Sequence, residues 1–244
     1  MRVLVTRPEP DALKLKGLLE ARGHEASVEP LMRTVFFQFD PEGLEGVTGI
    51  IATSRNALRA LRGSAALRRA RNICVYAVGA ATAEEARRLG FGQIVKGLGT
   101  ADALVPIIAS TMETSEEILL HLRGNRVSVD IRGDLEALGY RVTEAIVYRM
   151  EAAETLSAAT RDDIADGGIE AVMLMSPETA AIYVRLITRF GLKDMCRQLV
   201  HLCLSDQVAL RLKPLGDIPI EIAAEPTMEE MLILADLAAA KMDI

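Results

Sequence analysis

The stretch GIIATSRNAL at 49–58 decides the class of fold. Its apolar run is too short for a helix and has no polar alternation. That is the pattern of a strand buried on both faces of a parallel sheet. The run stops at Thr53-Ser54, where a helix N-cap is expected. Outward from it the same pattern recurs. VLV at 3–5, IVKGLG from Ile94, EILLHL at 117–122, AVMLM at 171–175 and LVHLCL at 199–204 are further apolar runs. Helical patterns separate them; the first carries Leu15, Leu18 and Leu19 and ends at Gly23. Strand–helix alternation of this kind predicts an α/β protein with mainly parallel sheets.

The chain also repeats itself weakly. VTR ending at Arg7 matches HLR ending at Arg123, and LLEARGHEA at 18–26 matches DLEALGYRV at 134–142, both at an offset of 116. IIATS ending at Ser54 matches VMLMS ending at Ser176, offset 122. VGAATA around Ala83 matches LSDQVA around Ala209 at 126, and Thr100 matches Thr227 at 127. The order is kept while the offset drifts slowly, which predicts two similar units of about five strands each. Taken alone, the repeats place the division near residue 115. Two β-like stretches, VEPLMRTVFFQF at 28–39 and RVTEAIVYRMEA at 141–152, are candidates for strands by which the chain passes between the units.

Composition narrows the function. The 244 residues are 50% hydrophobic and 25% charged, with a net charge of −6 and 4% aromatics without Trp. The acidic balance argues against a general nucleic-acid binder, and the scarcity of aromatics against a base-stacking platform. Arginines number 22 against six lysines. Arg is the better bidentate ligand for carboxylate and phosphate, so an acidic small molecule is a candidate partner; a high-GC genome would give the same excess. Cys74, Cys196 and Cys203 form no CxxC and predict a reducing compartment. The start, MRVLVTRPEP, does not resemble a signal peptide, and no apolar run approaches 18 residues. MLILADLAAA carries Asp236 and reads as an amphipathic helix. The expectation is a cytoplasmic protein with no membrane and no nucleic-acid partner.

Ligands of open parallel sheets sit beyond the carboxyl ends of the strands. Those ends carry Thr6-Arg7-Pro8, Thr53-Ser54-Arg55-Asn56, Gly79-Ala80-Ala81-Thr82, Arg123-Gly124-Asn125, Ser176-Pro177-Glu178-Thr179, Ser205-Asp206-Gln207 and Pro226-Thr227. Thr82 with Glu85 and Thr227 with Glu230 have capping-box spacing. Read singly, these Ser and Thr residues are helix N-caps. Read together, they are helix N-termini facing one cleft, with Arg7, Arg55 and Arg123 adding charge, suited to a ligand rich in carboxylates or phosphates. Familiar catalytic signatures are missing. Gly97-Leu98-Gly99 lacks the third glycine of a dinucleotide loop, Asp102 standing there. No phosphate-binding loop or GxSxG occurs. His24, His121 and His201 are far apart. His201, Cys203 and Cys196 lack a fourth metal ligand and read as core. No metal is expected, and no acid–base pair is evident.

Taken together, VLVTRP at the start, IIATSRNAL at 50–58, VYAVGAATAEEARRLGF at 75–91, RG at 123–124, VYR at 147–149, Ser-Pro at 176–177 and LSDQVA at 204–209 resemble the uroporphyrinogen-III synthase family. The match spans nearly the whole chain in family order. The resemblance implies two flavodoxin-like lobes with parallel sheets, joined by a two-stranded β-ladder, with the active site in the cleft between them. It places 1–34 plus 149–244 in lobe one and 35–148 in lobe two. It implies cyclisation of hydroxymethylbilane, a linear tetrapyrrole with eight carboxylates, to uroporphyrinogen III, with one pyrrole ring inverted and water lost. The pyrrole nitrogen itself expels the hydroxyl, so neither cofactor nor metal is implied, and catalysis is mainly by orientation. Ser54, Thr82, Tyr148 and Ser176 fall on family cleft positions, with Tyr148 the candidate for helping the hydroxyl leave; the rival reading of Tyr148 is a packing residue of the ladder. Some members have Gly-Pro-Thr-Thr where this chain has Ser205-Asp206-Gln207-Val208, so a threonine contact there is lost or replaced by Ser205. A monomer is expected. Two rivals stand beside this reading: a non-catalytic two-lobe α/β protein binding a polycarboxylate, and a two-lobe sugar binder, which low aromatic content disfavours.

Overall fold

In the computed structural model, which describes residues 1–112, 117–126 and 129–242, the chain packs as two units. Unit one is Met1–Arg33 with Glu151–Ile244, and unit two is Thr34–Met150. Strands and helices mostly alternate. The first are β1 (Arg2–Val5), α1 (Asp11–Glu20), β2 (Glu25–Val28) and β3 (Met32–Phe36). Unit two continues with β4 (Val47–Ala52), α2 (Arg55–Arg59), α3 (Ala65–Ala70), β5 (Cys74–Ala77), α4 (Ala80–Leu89), β6 (Ile94–Lys96), α5 (Leu104–Thr111), β7 (Ile118–Gly124), α6 (Ile131–Ala137) and β8 (Arg141–Ala152). The chain then returns through α7 (Ala158–Ala165), β9 (Ala171–Leu174), α8 (Pro177–Arg189), β10 (Val200–Cys203), α9 (Asp206–Ala209), β11 (Ile220–Ile222) and α10 (Met228–Met242). The exceptions to alternation are β2, β3 and β4, which follow one another without an α-helix, and α2, which is followed directly by α3.

Unit one holds a five-stranded sheet in the order β11-β10-β9-β1-β2, parallel throughout. Counted along the unit's own chain this is 2-1-3-4-5 reversed, the flavodoxin-like doubly wound order. Val3, Leu4 and Val5 are wholly buried, as are all four residues of β9. That two-sided burial is why these strands are continuous apolar runs.

Unit two has the order β3-β8-β7-β4-β5-β6. From β8 to β6 each neighbouring pair is parallel. Ile50 and Ile51 on β4 face opposite sides: Ile50 packs with Leu58, Ala83 and Ala86, Ile51 with Leu104, Ile108 and Leu135. The strand thus has helices over both faces. Spatially β6-β5-β4-β7-β8 is the same arrangement as β11-β10-β9-β1-β2, but entered at its third strand. β4 stands for β9 and β7 for β1. This is the repeat in the sequence: VTR with HLR, and IIATS with VMLMS. The drift in offset is the difference in loop lengths around a cyclically permuted unit.

Strands β3 and β8 carry the chain across the division between the units. Phe37 N donates to Val147 O and Ala153 N to Leu31 O, both at 2.9 Å. Residue numbers rise on one strand as they fall on the other, so this edge pair is antiparallel in an otherwise parallel sheet.

One expected cap does not form. α4 begins at Ala80 with Gly79 at its N-cap, so Thr82 lies inside the first turn and is buried. A Cβ on Gly79 would stand 3.3 Å from Gly99 Cα, so the loop after β6 crowds the cap position and the helix starts before the Thr82–Glu85 box. Glu85 is buried and meets Arg59 at 3.3 Å and Arg62 at 2.8 Å. The Thr227 cap does form, its Oγ1 accepting from Glu230 N at 3.2 Å. Among the described residues no helix is long and apolar enough to cross a membrane.

Candidate functional site

In unit two the strand order turns between β4 and β7, and doubly wound sheets bind ligands at that switch point. An opening of about 450 Å³ lies there, a volume suited to a ligand of modest size or to part of a larger one. Thr53 and Ser54 border it from the end of β4, Gly124 and Arg126 from β7, Tyr148 from β8, and Gly99–Asp102 from the loop after β6. Ser54 is the N-cap of α2, its Oγ accepting from Asn56 N at 3.2 Å.

Tyr148 owes its place to a break in register. Arg123 pairs with Ile146, but Gly124 pairs with Tyr148, one residue being skipped. A bulge of this kind re-aims side chains. Val147 stays in the core at 1% exposure, while Tyr148 lines the opening. The ring then lies against the backbone of Gly124, where a Cβ would be 2.8 Å from Cζ and 3.0 Å from the phenolic oxygen. Only glycine leaves the ring that space.

Below the opening runs a row of polar side chains. His121, 1% exposed, has Nδ1 3.1 Å from Glu144 Oε1 and Nε2 3.4 Å from Thr53 Oγ1. Arg123 Nε lies 3.1 Å from the same Glu144 oxygen, so its charge is partly answered within the unit. Burial pushes the His121 pKa down, the Glu144 carboxylate pulling the other way.

Of the residues singled out from sequence, Ser54 and Tyr148 border the opening together. Arg55 opens α2, Thr82 is buried in α4, and Arg123 turns to Glu144. Arg7, Ser176 and Ser205 belong to unit one. Arg7 follows β1, its guanidinium 3.5 Å from Met175 Sδ and 3.6 Å from Asp11. Ser176 caps α8, accepting from Thr179 N at 3.1 Å. Ser205 stands at the cap of α9 but makes no side-chain capping bond there. Thr6 is not a cap; it is buried and donates to Met173 O at 2.8 Å, tying β1 to β9. His201 uses both ring nitrogens, toward Tyr183 Oη at 3.2 Å and Pro219 O at 3.0 Å. Sequence reasoning placed Thr53 at a strand end without singling it out, and missed His121 as a member of the opening. The signal for His121 is cross-strand, since Ile51 pairs with His121 and His121 with Glu144.

The decisive comparison is with protein families. The model of the family "Uroporphyrinogen-III synthase HemD" matches residues 14–233. The chain belongs to the uroporphyrinogen-III synthase family. Members of the family are cyclising hydro-lyases of porphyrin biosynthesis that act on a linear tetrapyrrole, and this chain is an enzyme of that class. Solved structures agree in fold. Uroporphyrinogen-III synthetase from Helicobacter pylori is 19% identical with a TM-score of 0.62, over 97% of this chain and 99% of that one. A mutant uroporphyrinogen III synthase from the extremely thermophilic bacterium Thermus thermophilus is 16% identical with a TM-score of 0.52, over 99% of each. No curated protein matches the chain in sequence.

Proposed function

We propose that the opening of unit two receives part of hydroxymethylbilane and that Tyr148 hydrogen-bonds the departing hydroxyl. The observation that carries this reading is the bulge after Arg123, which turns Tyr148 onto Gly124 at the switch point. A hydroxyl leaves poorly unless it is hydrogen-bonded or protonated as the bond breaks, and a phenol can supply that bond. Ser54 and Arg55 at the start of α2, with Thr82, Arg123 and, in unit one, Arg7, Ser176 and Ser205, are the proposed partners of the carboxylates. Helix N-termini and guanidiniums favour such groups. Residues 1–34 with 149–244, and 35–148, are the proposed lobes. The enzyme is further read as a cytoplasmic monomer that needs no cofactor and binds no nucleic acid.

The test is incubation with enzymatically generated hydroxymethylbilane, oxidation, and separation of the type I and type III porphyrins. Spontaneous closure gives type I. Predominant type III product is expected; type I alone, at the uncatalysed rate, would refute the reading.

A further inference from the structure

Thr53, His121 and Glu144 lie in a row across β4, β7 and β8, and the chemistry of each fixes the next. Glu144 Oε1 meets the Arg123 guanidinium and His121 Nδ1, both at 3.1 Å. A carboxylate so placed only accepts, so Nδ1 carries the imidazole proton. In the neutral ring Nε2 is then an acceptor, and the group facing it at 3.4 Å is the Thr53 hydroxyl. Thr53 O–H therefore donates inward, and the oxygen lone pairs are left for the opening that Thr53 borders. An acceptor at that spot repels carboxylates and selects an N–H.

Resting on the function proposed above, we infer that Thr53 Oγ1, held as an acceptor by His121 and Glu144, takes a pyrrole N–H of the linear tetrapyrrole. Thr53 would thus orient a ring, and His121 would be a positioning residue acting through it. The groups facing His121 set its range. Glu144 on β8 favours the imidazolium, whereas burial and Arg123 on β7 oppose it; Asp102, Arg126 and Tyr148 border the opening above. Protonation would make Nε2–H a donor to Thr53, turning the threonine proton outward and converting the acceptor into a donor. Ring orientation should fail on the acid side, below the ordinary histidine range.

The experiment compares Thr53→Val, Thr53→Ser and His121→Gln with wild type, reading kcat, KM, the ratio of type III to type I product, and melting temperature. Thr53→Val is nearly isosteric and should fold. It should lower kcat/KM about fivefold to tenfold, the scale of one hydrogen bond, and raise the share of type I. Thr53→Ser should restore both, because it keeps the hydroxyl. His121→Gln should displace the acid limb of kcat/KM. Wild-type kinetics with pure type III product in Thr53→Val would overturn the inference, as would equal loss in Val and Ser variants. An impaired Thr53→Val beside an unaffected Tyr148→Phe would refute the role of Tyr148 and leave this inference standing.

Discussion

Gly124 and Tyr148 are paired so closely across a bulged register that a Cβ on Gly124 would lie 2.8 Å from the tyrosine Cζ. The glycine is part of the tyrosine's seat. Gly124→Ala must displace the ring or strain the strand, an overpacking cost of about 1–3 kcal/mol. The expected outcome is a fall in kcat close to that of a tyrosine deletion, with a smaller loss of stability than a core cavity gives. Steady-state kinetics with urea unfolding checks this; unchanged kcat would mean that the ring's position is not needed.

Tyr148→Phe keeps the ring and removes the donor. Hydrogen-bond help to a leaving hydroxyl is worth on the order of 10²–10⁴ in rate, with a self-ionising substrate at or below the lower end. A kcat fall of at least about tenfold is expected with the melting temperature almost unchanged. A lowered melting temperature with kcat intact would assign Tyr148 to packing.

Arg7 faces Asp11 at 3.6 Å and Arg123 faces Glu144 at 3.1 Å. Replacing Arg7 or Arg55 by Ala should raise KM and flatten the salt dependence of kcat/KM. Arg123→Ala should do this and also loosen the Glu144–His121 pair. Wild-type kinetics at low and high salt in all three variants would remove these side chains from the list of substrate ligands.

His201 ties stability to acidity in unit one. Its Nδ1–H donates to Pro219 O and its Nε2 accepts from Tyr183 Oη, so the ring is held neutral. Burial lowers its pKa from 6.5 to about 4. The unfolded state therefore binds the proton first, and the stabilisation is complete above pH 6.5 and lost as pH falls toward about 4. The change amounts to at most about 3 kcal/mol. Urea unfolding at pH 7 and at pH 4.5 should show this slope in wild type and a shallower one in His201→Gln. Parallel slopes would mean that other groups carry it.

The architecture was legible because two-sided burial leaves a mark on sequence: Ile50, Ile51 and Ala52, or Val172, Met173 and Leu174, form apolar runs with no other use. The strand repeat was legible for the same reason. Contacts made across strands leave no such mark. His121 and Glu144 are 23 residues apart, and only the register of β7 on β8 makes them neighbours. The Thr82–Glu85 pattern misled because a local motif competes with crowding from the loop at Gly99, which no spacing reveals. The Glu85 carboxylate instead joins α4 to Arg59 of α2.

The cyclic permutation of unit two bears on how the chain is made. Unit two is one uninterrupted stretch, so every strand from β4 to β8 has left the ribosome before unit one can close. Strand β1 emerges first, yet its inner neighbour β9 begins only at Ala171. The opening segment must wait through the synthesis of an entire neighbouring unit, and long-range parallel pairing is slow even once both strands exist. The VLV run at 3–5 can pair early with β2 on one edge, while its other edge stays open until β9 exists.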